Sequence, residues 1–131
     1  MATERARRPH DFRVKRSRAD LALSGDPCPF CPDHEGLTPP EVMAHRRVGE
    51  ANGPGWWIRV VPNKFAALIP EGSLERKPEE GFFRKADGVG RHEVVIESPF
   101  HDLCIPLMDD WQVEEILCAY RERFLALQND P

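Results

Sequence analysis

The segment Cys28-Pro-Phe-Cys-Pro32 constrains the fold more than any other part of this sequence. Two residues between two thiols let one tight turn present both sulfurs to a tetrahedral metal ion. Prolines remove backbone donors and disfavour helix, so the turn-rich stretch 26–41 is predicted to contain no helix. The spacing leaves three interpretations open: a zinc site, a redox pair, or two thiols without a role. Zinc is favoured, because a redox pair of this kind opens a helix and this one does not.

A structural zinc site needs two ligands beyond this pair. The other histidines and cysteines that could supply them are His34, His45, His92, His101, Cys104 and Cys118. Ligand side chains often lie on loops just past strands, and His101 follows a predicted strand. On its own, an isolated histidine at such a place is more often solvated or hydrogen-bonded within the core.

Aromatic and β-branched residues, each run ended by a proline or a Ser-Pro pair, predict strands at 56–61, 65–69 and 92–97. The charged stretch 71–90 between them predicts a long loop. Apolar residues at helical spacing predict a helix from about 110 to 127, capped by Asp109 or Asp110. Three strands and one helix indicate an α+β fold whose sheet edges and helix face need more partners. We therefore expect a truncated domain.

Length and charge limit the classes of function. A chain of 131 residues suits one domain at most. Seven of the eighteen basic residues lie within residues 1–18, which predicts a basic extended arm over 1–25 and an anionic partner. The overall pI of about 5.7 argues against a general nucleic-acid binder. No apolar run predicts a membrane helix or a secretory signal, so we expect a cytoplasmic protein.

Two further segments could contact a nucleotide. The guanidinium groups of Arg5-Ala-Arg-Arg8 could fork onto phosphate oxygens, although such a run is more often a solvated basic tail. Asn63-Lys64 lies in a tight connection between two predicted strands. Asn can hydrogen-bond a ribose or a phosphate, but it also favours turns for local reasons.

Four blocks in this order resemble the galactose-1-phosphate uridylyltransferase family of the histidine-triad superfamily. They are Arg-Ala-Arg-Arg-Pro, Cys-Pro-Phe-Cys-Pro with Thr-Pro-Pro-Glu, Trp-Ile-Arg-Val-Val-Pro-Asn-Lys-Phe, and Gly-Arg-His-Glu-Val-Val-Ile-Glu-Ser-Pro-Phe-His. The resemblance covers nearly the whole chain. It implies a partial histidine-triad-like antiparallel sheet with one long C-terminal helix and a Cys-x-x-Cys zinc knuckle at 26–41, the sheet and helix lying within 56–127.

The resemblance also implies chemistry. Members exchange a uridylyl group between UDP-glucose and hexose 1-phosphates through a covalent uridylyl-histidine, which is nucleophilic catalysis in two half-reactions. By position, Cys28, Cys31 and His101 match three structural zinc ligands. Arg5 and Arg8 match arginines near the nucleotide phosphates, contributed across a homodimer interface. Leu37, Asn63 and Lys64 match positions lining the nucleotide, and Lys64 stands where some members carry Asp.

One departure from the family pattern limits these expectations. The nucleophile lies in a His-Pro-His-x-Gln motif, whose first histidine is also the fourth zinc ligand. This chain has five histidines, and no two of them are separated by a single residue. We therefore expect residues 1–131 to be a truncated N-terminal uridylyltransferase domain, inactive alone. The alternatives are an adenylyltransferase relative of the same superfamily and a non-catalytic zinc-binding module.

Overall fold

A computed structural model describes residues 27–79 and 81–129; the predicted basic arm, with Arg5 and Arg8, lies outside them. The described chain contains five strands and one long helix, with short 3-10 turns at Glu35–Leu37 and Ile105–Leu107. The elements are β1 (Met43–Arg46), β2 (Trp56–Pro62), β3 (Lys77–Pro78), β4 (Arg84–Lys85), β5 (Glu93–Ile96) and α1 (Asp110–Gln128).

The central sheet is antiparallel, with strand order β1-β2-β5. Its middle strand β2 holds Ile58, Val60 and Val61, whose side chains are buried. β-branched residues suit this position, because they pack well on a pleated surface that is covered by neighbours. The register places Val60 opposite both Met43 of β1 and Val95 of β5.

Helix α1 packs against β2 through a small apolar cluster. Ile116 and Ala119 of α1 contact Ile58, and Met43 and Met108 pack around them. The Asp109 carboxylate accepts a hydrogen bond from the Gln112 backbone N–H at 2.8 Å, and so caps the helix start. The helix therefore begins at a residue that sequence alone can recognise.

A second cluster of Trp56, Val61 and Ile96 adjoins a buried polar network. The Arg59 side chain is only 1% exposed, although it carries a full charge. Its guanidinium donates to the Glu41 carboxylate at 2.9 Å, to the Thr38 hydroxyl at 2.8 Å and to the Glu35 carbonyl at 3.4 Å. These partners satisfy the charge inside the protein, as a buried guanidinium requires.

The structure confirms the α+β class, the strands predicted at 56–61 and 92–97, and the long helix. The strand predicted at 65–69 is wrong: Ile69 makes a single bridge to Val89, and the rest is irregular. The Asn63 side chain accepts the Phe65 N–H at 2.9 Å, which turns the chain before a strand can form. Instead, Met43–Arg46 supplies the third strand of the sheet.

Two local differences are smaller. The predicted loop at 71–90 contains the short β3–β4 pair. The stretch 26–41, predicted to lack helix, contains one 3-10 turn at Glu35–Leu37. None of the helices in the described part of the chain has the length and apolar character that crossing a membrane requires.

Candidate functional site

The two cysteines lie in one tight turn that precedes β1. The Cys31 N–H donates to the Cys28 carbonyl at 3.3 Å, and the His34 N–H donates to the Cys31 carbonyl at 3.2 Å. Asp33, between Cys31 and His34, has φ of 67°, a left-handed conformation that Asp tolerates better than most residues. His34 Nδ1 lies 2.8 Å from the Cys28 carbonyl oxygen, and as an N–H it donates there and braces the turn.

His101 reaches this turn from the loop that follows β5. Strand β5 ends at Ile96, and the Ser98 hydroxyl accepts the Phe100 N–H at 3.0 Å in a turn that redirects the chain. His101 Nδ1 then lies 3.3 Å from Cys31 Sγ. The ligand atoms of Cys28, Cys31 and His101 all lie within 4.8 Å of one another. The three ligand atoms are therefore gathered closely enough to be a candidate metal site of the kind that thiolates and imidazoles form.

The fourth position of a tetrahedral site is not filled by the described residues. Among the described residues, the group of mutually close ligands contains none of the other candidates suggested by sequence, such as His34 or Cys104. His34 uses Nδ1 on the Cys28 carbonyl, and Cys104 is exposed. Cys118 is also exposed, on α1.

Burial raises the pKa of the Cys31 thiol above its usual value, and the neighbouring Cys28 and Asp102 raise it further. A thiolate is the form that binds a metal ion, so the ion has to displace a proton here. Metal binding at this site should consequently release protons and strengthen as the pH rises.

The buried polar network holds the segment after the cysteine turn against the sheet. Arg46 of β1 donates to both oxygens of the Glu41 carboxylate, at 2.6 and 2.7 Å, and shares one of them with Arg59. Burial opposes ionisation of Glu41, but hydrogen bonds from the Asn52 backbone and Arg59, with the Arg46 charge, keep its pKa below the usual value. The Trp56 indole N–H donates to the Glu35 carboxylate at 2.8 Å. The segment that follows the cysteine turn is thus positioned by polar contacts to β1 and β2.

One cavity of about 280 Å³ lies beside the cysteines, and another of about 270 Å³ lies at the opposite end of β2. Asn63 and His92 line the second one, together with apolar and charged side chains; these are Val42, Leu68, Ile69, Arg91, Glu93 and Arg123. The Arg123 guanidinium of α1 donates to the Glu93 carboxylate at 2.7 Å, which closes one wall of the cavity.

The predicted nucleotide residues are spread over the molecule. Asn63 lies in this cavity and Lys64 is exposed beside it in sequence. Leu37 is 51% exposed at the end of the 3-10 turn and lines neither this cavity nor the one of about 280 Å³ beside the cysteines. Sequence reasoning considered His92 only as a metal ligand and missed its place beside Asn63. The antiparallel register of β2 and β5 carries that information, since Pro62 pairs with Glu93.

Comparisons with known proteins find relatives of one kind. No protein-family model matches the chain. An ADP-glucose phosphorylase from Arabidopsis thaliana is 38% identical over 120 residues, which are 91% of this chain and 33% of that protein. A galactose-1-phosphate uridylyltransferase from Haemophilus influenzae is 25% identical over 128 residues, 97% of this chain and 34% of that protein. The chain thus spans about a third of the length of these relatives.

Solved structures give the same result. A GALT-like protein from Arabidopsis thaliana superposes with a TM-score of 0.58 at 31% identity, covering 76% of this chain and 29% of that one. An Arabidopsis ADP-glucose phosphorylase with bound ADP-glucose superposes with a TM-score of 0.58 at 29% identity, covering 80% of this chain and 32% of that one. The resemblance predicted from the four sequence blocks is confirmed, and the partial coverage fits an N-terminal part.

Proposed function

Because the chain resembles galactose-1-phosphate uridylyltransferases and ADP-glucose phosphorylase over most of its length, we propose that it forms the zinc-binding and nucleotide-binding part of a hexose-phosphate nucleotidyltransferase. The observation that carries this proposal is the 38% identity to an ADP-glucose phosphorylase across 91% of the chain. The gathering of Cys28, Cys31 and His101 from distant parts of the sequence supports it independently.

Zinc is the metal that the donor set favours. Two thiolate sulfurs and one imidazole nitrogen suit zinc, whereas magnesium and calcium prefer oxygen ligands. Bound there, zinc would supply a structural cross-link and no chemistry of its own. It would join the turn before β1 to the loop after β5. The fourth ligand implied by the family resemblance is the first histidine of His-Pro-His-x-Gln, a motif that these 131 residues lack.

Asn63 and Lys64 are proposed to contact the ribose or the phosphates, with Leu37 near the nucleotide. The cavity that Asn63 lines has apolar side chains for a base and charged ones for the polar part of a nucleotide. Arg5 and Arg8 are proposed to contact the phosphates of the nucleotide that the partner subunit binds in a homodimer. The domain proposed for 1–131 then consists of this arm, the zinc knuckle at 26–41 and the sheet with its helix.

The base remains the finer question, and one observation favours adenine. Identity to the ADP-glucose phosphorylase is 38%, against 25% for the uridylyltransferase. The adenylyl alternative therefore takes precedence over the uridylyl transfer that the sequence blocks first implied. ADP-glucose is accordingly the first nucleotide sugar to test and UDP-glucose the second.

The zinc proposal is tested by measuring metal content. We expect about one zinc per purified wild-type chain, and Cys28→Ser and Cys31→Ser should each lower this content severalfold, because three protein ligands become two. Inductively coupled plasma mass spectrometry measures the ratio. Cys118→Ser is the matched control, since this exposed thiol lies outside the ligand group. Equal zinc in all three variants would contradict the assignment.

The nucleotide proposal is tested by calorimetric titration of the chain with ADP, UDP and their glucose esters. We expect ADP and ADP-glucose to bind more tightly than the uridine compounds, and Asn63→Ala to weaken all four. Gln128→Ala, which removes an exposed amide at the end of α1 outside the cavity, is the control. We also expect no turnover by this chain alone, because it holds no His-x-His pair. Binding of zinc and of a macromolecule, without any nucleotide, would favour the non-catalytic module instead.

A further inference from the structure

Asn63 and His92 are brought side by side by the sheet, although 29 residues separate them in sequence. Asn63 follows β2 and His92 precedes β5, so the antiparallel pairing of these strands sets them together. The Asn63 backbone N–H donates to the His92 carbonyl at 2.8 Å. This bond continues the ladder by one step and fixes both Cα positions, independently of the two side chains.

Backbone donors fix the side chains' orientation as well. The Asn63 amide oxygen accepts the Phe65 N–H at 2.9 Å. His92 Nδ1 lies 3.0 Å from the Ala67 N–H and accepts its hydrogen. A neutral imidazole that accepts at one nitrogen carries its proton on the other, so His92 Nε2 is an N–H donor.

The remaining contact is then between two donors. His92 Nε2 lies 3.1 Å from Asn63 Nδ2, which is also a donor because the amide oxygen faces Phe65. Two N–H groups cannot bond to each other, so both need an acceptor from elsewhere. They lie on the wall of the same cavity of about 270 Å³. A single oxygen atom placed in that cavity can accept from both.

We propose that His92 Nε2–H and Asn63 Nδ2–H form a paired donor for one oxygen of a bound nucleotide. This inference rests on the proposed function, because it takes the nucleotide site to include Asn63, and it adds His92 as a second binding residue. The oxygen belongs to a ribose hydroxyl or to a phosphate, since both present accepting lone pairs. The same cavity offers the base an apolar surface, which is lined by Val42, Leu68 and Ile69.

Nuclear magnetic resonance of the wild-type chain tests the premise without any substitution. A long-range proton–nitrogen correlation spectrum distinguishes the two tautomers of each neutral histidine. We expect His92 to carry its proton on Nε2 in the ligand-free chain, and ADP to shift that nitrogen resonance. A proton on Nδ1, or no shift at saturating ADP, would overturn the proposal.

Calorimetry with three His92 variants tests the consequence. Gln presents an amide N–H close to the position of Nε2, while Asn and Phe do not. We therefore expect His92→Asn and His92→Phe to weaken ADP binding about 5- to 10-fold, the value of one neutral hydrogen bond. His92→Gln should retain affinity within about 2-fold. Equal losses in all three variants would show a structural role only and would contradict the paired donor.

The two sources of the oxygen are distinguished by the ligand. If the donors bind a ribose hydroxyl, His92→Phe should weaken the binding of adenosine; if they bind a phosphate oxygen, it should weaken the binding of pyrophosphate.

Because both donors share one acceptor, Asn63→Ala should reduce ADP affinity less in the His92→Phe background than in the wild type. Wild-type chain that binds neither ADP nor UDP would refute the proposed function and this inference together. ADP binding that is unchanged by His92→Phe would refute this inference alone.

Discussion

Glu115 of α1 carries a charge that side chains of β1 and β2 stabilise. Its carboxylate accepts the Trp57 indole N–H at 2.6 Å and lies 2.9 Å from His45 Nδ1. The hydrogen bond from Trp57, together with the bond and charge of His45, lowers the pKa of Glu115 below its usual value against a smaller opposing effect of burial. One carboxylate thereby ties the helix to β1 and β2.

This lowered pKa predicts a pH dependence of stability. A carboxyl group whose pKa falls on folding stabilises the protein above its unfolded pKa, near 4.5, and loses this effect as the pH falls through the folded value. We therefore expect Glu115→Gln to lower the free energy of unfolding at pH 7 and to have less effect at pH 3. Urea unfolding followed by tryptophan fluorescence measures both. Glu114→Gln, on the exposed side of α1, is the control, and an identical pH profile for the two variants would contradict this role.

At the scale of elements, Gln112 joins the helix to two strands. It is 8% exposed, and its amide nitrogen donates to the Trp57 carbonyl at 3.2 Å and the Glu97 carbonyl at 2.6 Å. Glu97 directly follows β5 and leads into the turn that carries His101. The position of α1 and the path of the metal-binding loop are therefore coupled through one side chain.

We expect Gln112→Leu to destabilise the protein by about 2–4 kcal/mol, because it leaves two carbonyl groups without their donor. The same variant should also weaken zinc binding, since the loop bearing His101 loses its anchor. Chemical unfolding and competition with a zinc chelator measure the two effects. Gln128→Leu, at the exposed end of α1, should change neither. Loss of stability with unchanged zinc affinity would show that the loop does not depend on this contact.

The elements that sequence could predict are those whose local pattern matches their tertiary role. β2 is β-branched and buried, and α1 has an apolar period and an N-cap aspartate. β1 could not be predicted, because Met-Ala-His-Arg has neither β-branched residues nor alternation, and pairing with β2 makes it a strand. The segment 65–69 shows the opposite case, because its apolar residues predict a strand that the side-chain turn at Asn63 prevents.

In the candidate site, too, only the features set by local sequence could be predicted. The spacing of Cys28 and Cys31 is local, so the turn that joins them was predictable from sequence. His101 lies 70 residues from Cys31, and only the family resemblance selected it from the six candidate ligands. The pairing of Asn63 with His92 depends on strand register, which no short motif encodes.

At the scale of the whole molecule, α1 carries an apolar stripe beside the face that packs on the sheet. The stripe comprises Val113, Leu117, Tyr120, Phe124 and Leu127, at helical spacing. Leu117 is 61% exposed and Phe124 67% exposed. Contiguous apolar surface of this kind promotes self-association when nothing covers it.

We expect Leu117→Gln combined with Phe124→Gln to reduce self-association of the chain while changing the unfolding free energy by less than about 1 kcal/mol, because neither side chain is buried. Static light scattering over a range of concentrations measures the first quantity and urea unfolding the second. Ile116→Gln, 2% exposed in the core, should instead unfold the protein. Unchanged scattering in the double variant would show that this stripe does not drive association.

The buried Arg59 guanidinium has a consequence for cooperativity. It can leave water only when its partners at residues 35–41 are already in place, because an unpaired charge inside β2 costs several kcal/mol. The segment after the cysteine turn and the middle strand therefore have to form in a single event. Amide hydrogens of Thr38 and Val60 should then exchange with solvent through the same opening reaction, with equal protection and equal sensitivity to denaturant.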